Sequence, residues 1–571
     1  MTNLGPRVFY RGPSSFFGYT FAMTLREQIA HLIKGDAVDD AVSIQKYSRD
    51  TSIFERAPRV VVFPKDADDV AAVVRFVHEA KEAGEDISLA PRSAGTDMTG
   101  GPLTDSISLV FTKYMNGIGP IEGENATAEP GAYYRNFEKL TLRSVGKIVP
   151  SYPASRELCA IGGMVSNNSG GELTLRYGKT NDYVRSLDVV LSDGSHATFY
   201  PISMNELAIK EKEPTLEGKI YHKVHQLVET HAAEIGAARP NVSKNSAGYA
   251  LWNILDKKRG IFDLTQLITG SQGTLAILTS ATLGLVKTRE HRAMLVVFLS
   301  DIGILPDIVH RVMKLQPESF ESYDDHTFKL AVRFIPQIIS QLGFIKMIQL
   351  GLAFIPEALM VLRGGVPKFV LMAEFAEDRA EDAVEKVRDA RMALKGLAVR
   401  TKMASSEIAA KKYWTIRRES FALLRKNLHG LYACPFIDDL VIRADDYPQF
   451  IPELNKVLDQ HHLLYTIAGH IGDGNFHIIP LMDLGKEKDR REIIELQPKV
   501  YELVKKFDGS ITGEHNDGII RTPYLPMMFG EKIVGLFAEV KKIFDPLGIL
   551  NPGKKIGGTM QDIERSMIHH A

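Results

Sequence analysis

The sequence predicts an α+β protein of more than one domain. Three observations carry that expectation. The chain is 571 residues long, well beyond one small core, so two to four domains are expected. Early on, a β-branched run, an amphipathic helical stretch and a second apolar run follow one another, the opening of a strand–helix–strand unit. Later, Val184–Leu191 and His196–Phe199 flank Ser192-Asp193-Gly194-Ser195, the pattern of an antiparallel hairpin.

Taken in order, residues 1–53 read as an N-terminal extension with one helix near Leu25–Lys34. Arg59–Phe63 is β-branched and stops at Pro64, so it reads as a strand. Asp66 or Asp68 caps a helix whose apolar positions Val70, Val73, Val74 and Val77 keep the helical period, and Gly84 closes it. Ile87–Ala90 is the next strand. It runs into Pro91–Gly101, small residues whose successive N–H groups can form a nest for phosphate. The loop is neither G-x-x-x-x-G-K-[ST] nor G-x-G-x-x-G, and alone it reads equally as a Gly-rich surface loop. A second permissive stretch covers Tyr152–Ser155 and Ile161–Gly171, the latter with four glycines and no charge. It suits a backbone wrapped around a flat or anionic cofactor.

The second half starts near Arg292. Its apolar stretch Ile335–Leu362 is interrupted by Pro336, Gly343, Gly351 and Pro356, which makes it a poor membrane span. It reads as a buried helical insert, with a patch docking a membrane or partner protein as the rival.

Composition excludes several classes. The chain is 44% hydrophobic and 24% charged, with net charge −1 and no long basic run, which argues against a nucleic-acid partner. The two cysteines, Cys159 and Cys434, form no C-x-x-C, so no cysteine-ligated iron–sulfur cluster and no disulfide framework is expected. The first 26 residues carry Arg7, Arg11 and Arg26, as a transit peptide does. Their apolar part, Phe16–Met23, is broken by Gly18 and Thr20 and lacks a small-residue cleavage site. The expectation is a cytoplasmic protein, with peripheral contact at the inner face of a membrane left open by residues 335–362.

The strongest chemical signal lies near the C-terminus. Ala-Gly-His470-Ile-Gly-Asp-Gly-Asn-Phe-His477 is followed, after a helical segment, by Thr-Gly-Glu514-His515-Asn-Asp-Gly. On a helix, His470 and His477 would lie about 10 Å apart; on one strand they would face opposite ways. A hairpin with Gly472–Asn475 as its loop places Ile471 opposite Phe476 and His470 opposite His477, with Cβ atoms roughly 5 Å apart. Glu514 supplies a third ligand, giving a known catalytic zinc set of two His and one Glu with an open position. Zinc suits these donors best, with manganese, iron or cobalt as alternatives. Glu514 and His515 are adjacent, so their side chains are expected to diverge, leaving His515 as a base. The alternative is two Gly-rich turns that merely contain histidines.

The order of these loops resembles the FAD-dependent D-2-hydroxy-acid dehydrogenases, within the vanillyl-alcohol oxidase type of flavoprotein, over roughly residues 45–555. The resemblance implies an FAD-binding domain of two α+β subdomains at 54–290. It implies an α+β substrate or cap domain carrying the metal at 291–545, and a segment, 546–571, that returns to the flavin. Arg92, Ser93, Ala94, Gly95, Thr96 and Asp97 match the family's phosphate loop. Pro153, Ser155, Gly162, Gly163, Ser166, Asn167 and Gly171 match its flavin loop. Gly270–Leu275 matches a later loop, with Gln272 in place of Glu and Ala276 in place of Gly, followed by Ile277. Asn551, in Asn-Pro-Gly-Lys, is expected near the flavin, which would be held non-covalently.

Arg417, in Trp414-Thr-Ile-Arg417, matches the arginine that binds substrate carboxylate, and Asn475 is expected at the substrate. Pro435–Asp439 departs from the hydroxyglutarate enzymes, which have a lysine there. The implied activity is oxidation of a D-2-hydroxy acid (D-lactate, glycolate or D-2-hydroxyglutarate class) to the 2-oxo acid, with hydride passing to FAD. Electrons would leave through a separate iron–sulfur subunit, electron-transfer flavoprotein, cytochrome or quinone. Two alternatives are a redox-neutral enzyme like alkylglycerone-phosphate synthase and a non-catalytic electron-relay subunit.

Overall fold

In the computed structural model, residues 23–327, 365–406, 409–415, 417 and 430–569 are described. Strands Asp36–Val38 (β1), Val60–Phe63 (β2), Leu89–Arg92 (β3) and Ile107–Val110 (β4) form a sheet ordered β1-β2-β4-β3. Two of its pairings, β2 with β4 and β3 with β4, are parallel. Every residue of β2 is buried, as a strand covered on both faces requires. The helix Ala67–Glu82 lays Val70, Val73, Val74 and Val77 against this sheet. Asp66 caps it by accepting from the Asp69 N–H, and Gly84 follows at φ +91°.

Two expectations need correction here. β3 begins at Leu89 rather than Ile87, because Leu89 is the residue that pairs with Ile107. Residues 1–53 are more than an extension with one helix: Asp36–Val38 adds an antiparallel strand to β2.

Ile118–Glu122 (β5), Asn125–Ala128 (β6), Val184–Val190 (β7) and His196–Phe199 (β8) belong to a second sheet, β5-β6-β12-β7-β8, completed by Ile277–Gly284 (β12). β7 and β8 are the expected hairpin, with Val190 paired to His196. Ile202–Ser203 (β9), Leu255–Asp256 (β10) and Ile261–Phe262 (β11) make a small sheet beside it. Ile161–Asn167, expected as permissive loop, is a seven-residue helix closed by Asn168 at φ +50°. Its Gly162 is required by packing: a Cβ there would lie 2.5 Å from Pro130 Cβ.

The second half is built on His291–Leu299 (β13), Ser319–Asp324 (β14), Phe369–Glu377 (β15), Arg400–Ala404 (β16), Tyr432–Ala433 (β17), Leu440–Val441 (β18), Leu464–His470 (β19) and Asn475–Met482 (β20). Their order is β16-β13-β15-β14-β19-β20-β17, with β18 also on β20, and the pairings are antiparallel. One face of this sheet sends Leu295, Val297, Phe320 and Leu371 into the largest core. Alternation puts Met294, Val296, Met372 and Tyr323 on the other face, in a smaller cluster with Tyr413 and Ala468. The same face carries Glu321 and Glu374. The large core also takes in Phe54, Leu103 and Ala247, so its packing crosses residue 290. Residues 335–362 lie outside the described residues, and among those described no helix is long and apolar enough to cross a membrane.

Candidate active site

The hairpin β19–β20 exists, but in another register. His470 pairs with Asn475, Gly469 with Phe476 and Ala468 with His477. The turn is Ile471–Gly474, one residue earlier than expected, because Ile471–Asp473 coil as a 3-10 turn and Gly474 must take φ +71°. A Cβ on Gly474 would sit 1.9 Å from the Ile442 carbonyl oxygen, so no other residue fits. His470 and His477 therefore meet diagonally on one face. Their ring centroids are still only 5.3 Å apart, near-perpendicular.

The second loop is fixed by Asp439, itself at φ +68° and fully buried. Its Oδ2 accepts from Thr512 Oγ1 (2.5 Å), the Glu514 N–H (2.9 Å) and the His515 N–H (2.8 Å). The buried Arg521 guanidinium donates to the carbonyls of Ile511, Asn516 and Asp438. One arginine thus closes the loop and ties it to the strand-like run Phe436–Ile442.

Three imidazole Nε2 atoms converge on one carboxylate oxygen, Glu514 Oε1. His470 stands 3.4 Å from it, His477 3.5 Å and His515 3.9 Å. The expected divergence of Glu514 and His515 does not occur; both aim into the same space, and the His515 ring stacks on His477 at 5.1 Å. Each outer Nδ1 is held by a carboxylate: His470 by Glu321 (2.6 Å), His477 by Asp438 Oδ1 (3.0 Å) and His515 by Asp438 Oδ2 (2.8 Å). Such partners fix the tautomer that turns Nε2 toward a metal.

Asp439, His477, Glu514 and His515 bring ligand-type atoms within 4.8 Å of one another. Asp439 is nevertheless spoken for, since Oδ1 accepts from Asn475 Nδ2 (2.9 Å) and Oδ2 holds the loop. Ligands about 2.0–2.1 Å from a tetrahedral ion lie about 3.4 Å from each other. The His470–Glu514 and His477–Glu514 spacings match that value, and the His515 spacing exceeds it.

Charge follows the geometry. Burial opposes ionisation of Glu514, yet Lys244 and His470 hold it well below the usual carboxylate range. Burial likewise fails to keep His470 and His515 neutral: Glu321 lifts the first, and Asp439 with Asp438 the second, each to about 9. The Lys244 ammonium, 1% exposed, lies 3.0 Å from Asp473 and 3.3 Å from Glu514 Oε2. Lys179 donates to the Gly513 carbonyl (2.7 Å), and burial lowers it to about 8. Arg417 places Nε 3.3 Å from Glu321 Oε2, on the far side of the carboxylate that grips His470. Asn475 is buried, and its Oδ1 has no hydrogen-bond partner among the described residues.

The loops of the first half converge on the same place. Asp97 Oδ1 accepts from Asn167 Nδ2 at 2.8 Å, and its Oδ2 accepts from the N–H groups of Thr99 and Gly101. Gln272, at φ +54°, donates to Asn167 Oδ1, its own N–H reaches the Ser166 carbonyl, and its Oε1 accepts from the Gly518 N–H. Asn551 donates to the Gly101 and Gln272 carbonyls. Arg92 donates to the Arg49 carbonyl, Ser93 to that of Pro130, and the Thr96 carbonyl accepts from Thr51. Gly95 takes φ +73°, and Ala94 lies between it and Ser93. Gly171 must be glycine, for a Cβ would meet the Tyr152 carbonyl at 2.2 Å and Pro153 Cα at 3.3 Å. Ser155 starts the turn that follows. Ile277 instead pairs with Val190 and joins the buried core.

These residues fit a flavin. At Gly163 the nearest atom to a built Cβ is 3.8 Å away, and the buried Asn551 Oδ1 and Asp50 Oδ2 have no hydrogen-bond partner among the described residues. The two sites touch. A Cβ on Gly170 would lie 3.1 Å from Glu514 Oε2, and Asn516 Nδ2 donates to the carbonyls of Asn167 and Gly270.

Glu321, Asp438, Asp439 and Lys244 are the residues that sequence reasoning missed as parts of the site. Asp438-Asp439 carried a signal: two acids inside the apolar run Cys434–Ile442 must be buried and therefore partnered. Glu321 and Lys244 carried none.

Comparison with known proteins gives matches over both halves of the chain. Residues 58–200 match the family described as FAD binding domain, and residues 288–555 the family described as FAD linked oxidases, C-terminal domain. The chain is 26% identical over 524 residues to the D-2-hydroxyglutarate dehydrogenase of Escherichia coli (strain K12), covering 91% of this chain and 50% of that protein. It thus spans about half the length of that relative. It is 25% identical over 538 residues to glycolate oxidase subunit GlcD of Bacillus subtilis (strain 168), covering 93% and 96%. The fold is similar to that of p-cresol methylhydroxylase with substrate bound, at TM-score 0.64 and 14% identity over 93% of this chain and 96% of that one. With both domains matched in order, the chain belongs to the FAD-linked oxidases.

Proposed function

We propose that this protein oxidises a D-2-hydroxy acid to the 2-oxo acid, as an FAD- and metal-dependent dehydrogenase. The observation that carries the reading is the convergence of three imidazole Nε2 atoms on Glu514 Oε1, beside a flavin loop whose Gly170 abuts the same carboxylate. Relatives named for 2-hydroxy acids support the substrate class. When bound, FAD supplies a two-electron acceptor and a divalent cation, best zinc, supplies a Lewis acid that lowers the pKa of a substrate hydroxyl.

His470, His477 and Glu514 would hold the cation. Arg417 takes the substrate carboxylate by paired hydrogen bonds, and Asn475, whose Oδ1 is an acceptor, would meet a donor of the substrate rather than that carboxylate. To act as a base His515 must be a neutral ring, and a cation held by its neighbours would favour that form by opposing the imidazolium charge. His515 Nε2 then takes the hydroxyl proton while Asp438 steadies the resulting imidazolium through Nδ1. With the hydroxyl, the carboxylate and C2 fixed by these groups, only one enantiomer presents its C2–H to the flavin side. Turnover requires a separate electron acceptor: an iron–sulfur subunit, an electron-transfer flavoprotein, a cytochrome or a quinone.

The test is direct. Purified protein should be yellow and release FAD on denaturation, and a screen of D- and L-2-hydroxy acids with an artificial dye should give turnover on D-enantiomers only. Colourless protein that takes up no FAD, or equal rates on both enantiomers, refutes the reading. Absence of any turnover favours an electron-relay or redox-neutral role.

A further inference from the structure

Lys244 reaches the cluster from outside both signature loops. It sits on the segment Ser243–Ser246, wedged between the hairpin turn and the loop that carries Glu514. Ser243 Oγ donates to the Asp473 carbonyl, the Ser246 N–H to the Thr512 carbonyl, and Ser246 Oγ to the Gly513 carbonyl. Asn245 Oδ1 accepts from Ser510 Oγ. This segment cross-links the two halves of the site, and Lys244 is its charged member.

A buried ammonium is costly unless opposite charges compensate it. Here it lies against Asp473 Oδ2 and Glu514 Oε2. The consequence concerns Glu514. Its Oε2 faces Lys244, and its Oε1 lies 3.4 Å and 3.5 Å from the Nε2 atoms of His470 and His477. A carboxylate so divided offers a cation one oxygen. Zinc is satisfied by three or four nitrogen and oxygen atoms, whereas calcium needs six to eight oxygens and favours two-oxygen carboxylates.

We propose that Lys244 is a positioning residue that holds Glu514 as a one-oxygen ligand, and so selects a nitrogen-preferring transition cation over a larger oxygen-preferring one. This rests on the metal reading above. Removing Lys244 frees Glu514 Oε2 to swing onto the ion beside Oε1, and frees Asp473 as a further oxygen donor nearby.

The experiment uses the full chain with FAD bound, stripped of metal with a chelator and titrated calorimetrically with Zn2+ and with Ca2+. Loss of a positive charge alone would strengthen both cations alike, so the readout is the ratio of their association constants. In Lys244→Met that ratio should fall by about tenfold to a hundredfold, the usual range for a lost outer partner, and Lys244→Arg should restore it. If Lys244→Met does not fold, the double variant Lys244→Met/Asp473→Asn removes one stranded carboxylate and should show the same fall. An unchanged ratio in the variant that folds overturns the proposal while leaving the metal reading intact. Wild-type protein that binds neither cation overturns the metal reading, and the proposal with it.

Discussion

Asp438→Asn changes one atom and strikes two imidazoles. Asp438 is fully buried; its Oδ1 hydrogen-bonds His477 Nδ1 (3.0 Å), and its Oδ2 lies 2.8 Å from His515 Nδ1 as an ion pair. An asparagine keeps one acceptor and turns the other into an NH2 donor. The imidazole that meets the donor must accept at Nδ1 and carry its proton on Nε2, where it can neither ligate nor act as a base. The charge matters as well. Lifting His515 from 6.5 to about 9 corresponds to about 3 kcal/mol favouring the imidazolium, net of burial and shared by Asp439, Asp438 and Glu514. If the wrong tautomer falls on His477, metal affinity should drop by about 10- to 100-fold. If it falls on His515, turnover should drop by about 100- to 10,000-fold with metal retained. Elemental analysis of the purified variant, with dye-linked turnover at saturating metal, separates the two. Arg521 grips the backbone carbonyl of Asp438, not its side chain, so the loop should keep its shape. A variant with full metal content and turnover within about twofold of wild type would refute the reasoning, since no tautomer argument survives it.

Other substitutions probe other parts. His470→Ala should lose its metal, whereas His515→Ala should keep it and lose about 100- to 10,000-fold in turnover; equal metal loss in both would make His515 a ligand. Arg417→Lys should raise KM for the hydroxy acid by about tenfold with less effect on kcat, because an ammonium cannot form the paired bonds; steady-state kinetics checks it. Lys554 is buried, donates to the Leu103 carbonyl, and burial with Arg56 nearby lowers it to about 7. Its charged form therefore penalises folding fully below pH 7, and the penalty lifts as pH rises from 7 toward 10.5. Relative to Lys554→Met, wild type should gain about 1–3 kcal/mol in unfolding free energy between pH 7 and 9, and parallel pH profiles would refute this.

Much of this was legible in local pattern. The helix Ala67–Glu82 and the hairpin of β7 and β8 follow from period, cap and turn residues within a few positions of each other. The site histidines were legible for the same reason, since Gly474 and Gly513 punctuate the loops that carry them. What failed was whatever depended on distant partners. The register of His470 is set by how Gly474 packs on Ile442, thirty-odd residues away, so glycine spacing alone placed the turn one residue late. Glu321 lies 149 positions before His470 on an unremarkable strand, and Lys244 lies 270 before Glu514. Neither belongs to a motif, and only the tertiary fold declares them. The run Ile161–Asn167 failed differently: two glycines suggested loop, but at Gly162 packing against Pro130 demanded a missing side chain inside a helix.

The loop Thr512–Asp517 answers to two masters. Glu514 points to the imidazoles, while Asn516, two residues on, grips the carbonyls of Asn167 and Gly270 in the flavin loops. If the proposed cation and the flavin each hold this one loop in place, loading one would be thermodynamically linked to loading the other. Linkage is reciprocal: the factor by which FAD tightens the cation is the factor by which the cation tightens FAD. Chelation should therefore raise the dissociation constant of the yellow cofactor as well as silence the enzyme.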